Sequence, residues 1–120
     1  MKVQLSKSQL NKLLNFLLEK INHDEFIIIK REKNNRFMNE YRLNKERVKL
    51  DILLKISSEN FISEEFDNDT IKYGTEKVAI FIVKCNLVDV YGENKDLSVY
   101  VKIKEKINSL VMISVHEEER

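Results

Sequence analysis

The sequence predicts an α+β protein in which N-terminal helices pack on one face of a C-terminal antiparallel β-sheet. Three observations carry that expectation. Leucines and isoleucines recur at three- and four-residue spacing from Ser6 to Asn22, and a similar apolar stripe runs from Asn44 to Ser57. The run from Lys77 to Lys84 is almost continuously apolar, as a central strand requires. Leu97, Val99, Val101 and Ile103 alternate strictly with Ser98, Tyr100, Lys102 and Lys104, the period of a strand with one face on a core.

In chain order, the first helix carries Leu10, Leu13, Leu14, Leu17, Leu18 and Ile21 on its apolar side. Ser6 suits the N-cap, with Gln9 three positions on as its capping-box partner. The stretch from Phe26 to Lys30 is short, β-branched and apolar, hence a buried strand. A short helix follows from Asn35 to Tyr41, with Phe37, Met38 and Tyr41 inward. Asn44 caps a further helix whose stripe is Val48, Leu50, Ile52, Leu53 and Ile56. Asn60 to Asp69 is polar and acidic and reads as a loop without calcium-loop spacing. Leu87 to Tyr91 continues the apolar strand or begins another, and Gly92 to Asp96 supplies turn residues.

A length of 120 residues suits a single domain, 1–120, with one core. The 21 Lys and Arg against 20 Asp and Glu leave a net charge of +1, so bulk charge does not mark a nucleic-acid binder. Affinity for phosphate would have to come from how the cations are placed. Cys85 stands alone in an apolar run, which excludes an internal disulfide and a multi-cysteine zinc site and suits a small buried hydrophobe. No run is long enough to span a membrane and the N-terminus has no apolar signal segment, so a cytoplasmic location is expected, with no membrane partner.

The last two strands hold the most informative side chains. In the second arm Val111, Ile113 and Val115 alternate with Met112, Ser114 and His116. If both apolar rows face one core, opposed residues share parity, because a one-residue slip flips every side chain. A short loop at Ile107, Asn108 and Ser109 then sets Tyr100 opposite His116 and Lys102 opposite Ser114, with Cβ atoms roughly 4.5–5.5 Å apart. A phenol, an imidazole and ammonium groups in one patch suit proton transfer around a phosphate. Open sheet faces also carry Tyr, Lys and Ser with no chemistry. The densest basic cluster is Lys30, Arg31, Lys33 and Arg36, which suits a phosphate backbone, an acidic partner or a solvated first helical turn.

Several strings, taken in order, resemble the MqsR-like messenger-RNA interferase toxins of bacterial toxin–antitoxin systems, which share a RelE-like fold. They are Phe26-Ile-Ile-Ile-Lys-Arg31, Asp51-Ile-Leu-Leu-Lys-Ile-Ser-Ser-Glu-Asn-Phe61, Asp89-Val-Tyr91, Val99-Tyr-Val-Lys-Ile103 and Val111-Met-Ile-Ser-Val-His-Glu117. The resemblance runs from Leu10 to Glu118. It implies an endoribonuclease that needs no metal or cofactor, cuts single-stranded messenger RNA and is neutralised by a cognate antitoxin protein. The family's catalytic tyrosine falls on Tyr100, the lysine of the same string on Lys102, and the catalytic basic residue of the last strand on His116. Lys104, Arg31, Lys30, Lys33, Arg36 and Ser114 complete the expected RNA-binding set. Two positions depart from the family: Ser63 stands near its phosphate-binding lysine, and Val88 stands where a glutamine precedes Asp-Val-Tyr.

In this reading His116 moves the protons, since histidine as a residue type titrates near pH ~6.5. Lys102, with Lys104 or Arg31, stabilises the charge at phosphorus. Tyr100 orients the phosphate or stacks on a base. The alternative is a non-catalytic protein- or RNA-binding module of the same fold.

Overall fold

The computed structural model describes residues 2–67, 76–106 and 109–119. Along them run β1 (Lys2–Val3), α1 (Lys7–Asn22), β2 (Phe26–Ile28), α2 (Glu32–Glu40) and α3 (Lys45–Asp51), then single 3₁₀ turns at Leu53–Lys55 and Ser58–Asn60. The rest is β3 (Phe61–Asp67), β4 (Glu76–Val88), β5 (Asn94–Glu105) and β6 (Leu110–Glu117). The strands form one sheet in the order β1-β3-β4-β5-β6-β2. Strands β3 to β6 are an antiparallel meander. Strand β2 closes the far edge parallel to β6, which makes the sheet mixed. Parallel neighbours need a long crossover, and here the helices α2 and α3 and the whole meander supply it.

The helices cover one face. Leu14, Leu17 and Ile21 of α1 pack with Phe37, Val48 and Leu53 against Phe81, Val83, Val99, Val101, Leu110 and Val115 of the sheet. The predicted architecture, helices first and most of the sheet after, is therefore what forms. Both predicted caps are present: Ser6 and Gln9 make the reciprocal capping box, and the Asn44 side chain accepts from the Arg47 amide at 2.8 Å. Cys85 is buried in the core, and burial pushes its thiol pKa up, as suits an inert packing residue.

Several expectations are corrected. The acidic stretch expected to be a loop from Asn60 to Asp69 contains β3, paired with β4 at Phe61 and, after a shift at Ile62, from Ser63 to Asp67; Asn68 and Asp69 lie outside the described residues. Pairing of Ser63 with Ile80 and Glu64 with Ala79 outweighs the poor strand propensity of these polar residues. The turn after β4 is tighter than expected. Asp89 Oδ1 accepts from the amides of Tyr91 and Glu93, Gly92 takes φ +81, and Asn94 to Asp96 already belong to β5. Leu50, placed in the α3 stripe, is exposed, because two steps of about 100° along the helix set it nearly opposite the buried Val48. The predicted loop residues Ile107 and Asn108 lie outside the described residues.

The most consequential correction is in β6. Ile103 pairs with Met112 but Lys102 with Ser114, so Ile113 is an extra residue, a β-bulge. Leu110 and Met112 face the core before it and Val115 after it, whereas Val111 and Ile113 do not join the core cluster. The strand is thus two alternating halves, one residue out of phase.

The junction of α1, β2 and α3 yields a testable pH dependence. Asp24 sits at φ +60, the left-handed region that aspartate and asparagine tolerate best among side chains. Its carboxylate accepts from the buried Lys49 ammonium at 2.8 Å, and Lys49 also donates to the Asn22 carbonyl at 3.1 Å. The hydrogen bond from Lys49 holds the Asp24 pKa below its ordinary value of 3.8. A carboxyl depressed on folding contributes stability above the unfolded value and loses it as pH falls through the folded one. Asp24→Asn keeps the backbone preference and removes the charge. Its melting temperature is expected to lie below wild type at pH 7, with the gap closing once the pH drops below 3.8. Thermal melts of both proteins between pH 7 and 2 check this, and a gap unchanged at pH 2 contradicts it.

Candidate active site

The sheet face away from the helices carries three rows across β4, β5 and β6. They are Ile82–Tyr100–His116, Ile80–Lys102–Ser114 and Val78–Lys104–Val111. Tyr100 therefore lies opposite His116 and Lys102 opposite Ser114, as the alternation of the sequence predicts. The Tyr100 and His116 rings stack with centroids 5.5 Å apart and planes at 21°. Both side chains are partly exposed and can be reached from solvent.

Local bonding sets the chemical state of this pair. His116 Nδ1 lies 2.9 Å from the Glu117 carbonyl oxygen. A carbonyl only accepts, so Nδ1 is the donor, and in the neutral imidazole the lone pair is then on Nε2. Burial, with a smaller contribution from the Glu65 carboxylate, raises the Tyr100 pKa above its ordinary 10.0, and the Arg31 guanidinium opposes this. Tyr100 is therefore a neutral phenol at physiological pH, a hydrogen-bond donor and not a base.

The basic cluster of the sequence divides when folded. Arg31, at the entry to α2, turns toward the pair: its Nη1 donates to Ser114 Oγ and to the Ile113 carbonyl, both at 3.2 Å. Lys33 pairs with Glu119 at 2.9 Å, and that ammonium holds the Glu119 carboxyl below the usual glutamate range. Arg36 pairs with Glu32 one turn back on α2. Lys33, Arg36, Phe37 and Glu40 border a shallow cleft of about 210 Å³ with His116 and Glu117 to Glu119. Lys30 is exposed and has no part in this grouping. Ser114 is buried, so its hydroxyl orients Arg31 more readily than it meets a ligand.

Lys104 does not fit the RNA-contacting role expected of it. It shares the face but is only 9% exposed, opposite the buried Val78 and Val111 in the row that also holds Glu65. Alternation places a side chain on a face; it does not say whether that part of the face is open. Glu65 was missed, because its segment reads as a loop. Strand pairing sets Ser63 and Glu65 opposite Ile80 and Val78 on the site face. Their two-residue spacing was the available signal. Of the two departures from the family pattern, Ser63 is buried on the site face and Val88 is exposed at the end of β4.

A larger concavity of about 750 Å³ opens at the other end of β4 and β5, lined among others by Lys84, Asp96, Glu117 and Glu118. None of the predicted site residues lines it, so size alone does not place the chemistry. Among the described residues no group of three or more His, Cys, Asp and Glu is arranged to hold a metal ion. No described helix is long and apolar enough to cross a membrane. Compared with known proteins, the chain matches no family model, no curated protein and no solved structure.

Proposed function

We propose that this chain is a metal-independent endoribonuclease of the MqsR-like type, a toxin that cuts single-stranded messenger RNA and is held in check by a cognate antitoxin. The observation that carries the proposal is the stacked Tyr100–His116 pair, with Lys102 and the Arg31–Ser114 contact in the adjacent row. The α+β class, with most of the sheet C-terminal to the helices, is the one the resemblance implies.

The reaction uses groups already in place. His116 Nε2 takes the proton of a ribose 2′-hydroxyl, and the freed oxygen attacks the adjacent phosphorus. Lys102 and Arg31 offset the added negative charge of the phosphorane, while the Tyr100 phenol donates to a phosphate oxygen. The bond from phosphorus to the 5′-oxygen then breaks, and the leaving oxygen takes back the proton from the His116 imidazolium. The products are a 2′,3′-cyclic phosphate and a 5′-hydroxyl. Because His116 covers one ring face of Tyr100, the tyrosine acts here through its hydroxyl and not as a platform for a base on that side.

A second reading, a non-catalytic module that binds RNA or protein, draws on two observations. Ser63 is buried where the resemblance implies a phosphate-binding lysine, and Glu40 and Glu117 to Glu119 crowd the cleft beside His116. Incubating the purified protein with a long single-stranded RNA in EDTA separates the readings. The nuclease is expected to release discrete fragments ending in 2′,3′-cyclic phosphate. Intact RNA, bound or unbound, would remove the enzymatic reading. Co-expression with the neighbouring reading frame, scored by growth, tests the toxin–antitoxin part.

A further inference from the structure

The face that His116 presents depends on the Ile113 bulge. Upstream of it, even-numbered residues of β6 point into the core, as Leu110 and Met112 do. Continued without interruption, that alternation would send Ser114 and His116 inward and Val115 outward. The extra residue reverses the phase, and only then does His116 reach Tyr100. A bulge that decides the position of the site needs something to hold it.

On the side of β6 away from β5, β2 pairs only with Leu110 to Met112, and the last bond of that edge runs from the Ile29 amide to the Met112 carbonyl at 3.1 Å. Beyond this point the side chain of Asn34, on α2, takes the place of a strand. Its Nδ2 donates to the Ile113 carbonyl and to the Ile29 carbonyl, each at 3.0 Å. Its Oδ1 accepts from the Val115 amide at 3.0 Å. A primary amide offers a donor and an acceptor side by side, as a peptide group does, and Asn34 is 0% exposed with both sides used. Its partners on β6 are the bulged Ile113 and, two residues on, Val115.

We propose that Asn34 is a positioning residue for the Tyr100–His116 pair: by standing in for a strand at the edge of β6 it fixes the Ile113 bulge, and the bulge sets the face on which His116 lies. Arg31 assists by gripping the same Ile113 carbonyl. The geometric claim stands apart from the nuclease reading; only its consequence for cleavage rests on that reading.

The register itself supplies the test. Met112 and Ser114 pair with the consecutive residues Ile103 and Lys102, so deleting Ile113 leaves a regular strand with the same pairs and the same facing. Asn34 should then be dispensable. The experiment compares isotope-labelled full-length wild type, Asn34→Ala, deletion of Ile113, and the two changes together. It reads the nuclear Overhauser contact between the Tyr100 and His116 rings and, separately, the rate of RNA cleavage. Asn34→Ala is expected to lose the ring contact and about 100-fold in cleavage rate, with little change in KM. The Ile113 deletion keeps the contact. The double variant keeps it too, and cleaves to within about twofold of the deletion alone.

A residue that merely adds stability would weaken both backgrounds alike. The proposal is overturned if the ring contact survives Asn34→Ala, if the double variant loses it as the single does, or if deleting Ile113 alone abolishes it. Should Asn34→Ala not fold by itself, the double variant decides: folded with the contact supports the proposal, unfolded overturns it. If wild type cuts no RNA, the nuclease reading fails while the ring contact still tests the role of Asn34.

Discussion

His116→Ala is expected to slow RNA cleavage by about 10²–10⁴-fold, the range for removing a positioned general acid–base. At about 1.4 kcal/mol per tenfold this is roughly 3–5 kcal/mol of transition-state stabilisation. His116 is partly exposed and packs mainly on the Tyr100 ring, so the loss to folding is on the order of 1 kcal/mol or less. Rate and stability therefore separate: a large kinetic defect in a protein that still melts near the wild-type temperature. Two comparisons sharpen the assignment. Lys102→Ala removes charge at the phosphorane and is expected to cost about 10²–10³-fold. Tyr100→Phe keeps the stacked ring and loses only the donor, so its defect should be smaller than that of His116→Ala. Because the Tyr100 pKa is raised above 10.0, its ionisation should produce no fall in rate below that pH. Initial rates on a short fluorescent single-stranded RNA measure all three. A wild-type rate in His116→Ala would remove the imidazole from the mechanism.

Phe81→Ala is expected to give the largest loss of stability. Phe81 is fully buried on β4, inside the meander, with its ring edge-on to Phe61 at 5.7 Å and its backbone opposite Val101 of β5. Truncating a buried phenylalanine costs about 3–5 kcal/mol, through lost burial and the cavity left behind. Against a total of about 5–15 kcal/mol for a domain of this kind, that is a large share. The melting temperature should fall by about 10–20 °C. The site feels this indirectly, because the next residue, Ile82, lies opposite Tyr100. Leu50→Ala is the matched control, since Leu50 is 45% exposed and should change stability by less than about 0.5 kcal/mol. Circular-dichroism melts compare the two. A Phe81→Ala protein melting within a few degrees of wild type would contradict the packing described.

The elements that the sequence predicts well are those whose signal is local. The capping box at Ser6 and Gln9 spans three positions, the α1 stripe repeats every three or four, and the β5 alternation every two. Each can be read without knowing the partner. Where the partner decides, local reading fails. The acidic β3 is a strand because β4 accepts it, and Lys104, on the same face as Lys102, is only 9% exposed. The cations between Lys30 and Arg36, adjacent in sequence, are parted by the start of α2: Arg31 reaches the sheet, while Lys33 meets the C-terminal Glu119.

From the sequence alone came the α+β class, both helix caps and the pairing of Tyr100 with His116 and of Lys102 with Ser114. Period and parity are properties of neighbouring residues, and they survive folding. The tertiary structure alone decided that β6 changes phase at Ile113, that Asn34 holds it there, and which basic side chains reach the site. These rest on contacts of Asn34 and Arg31 with residues about eighty positions away, and no short-range pattern records such a contact.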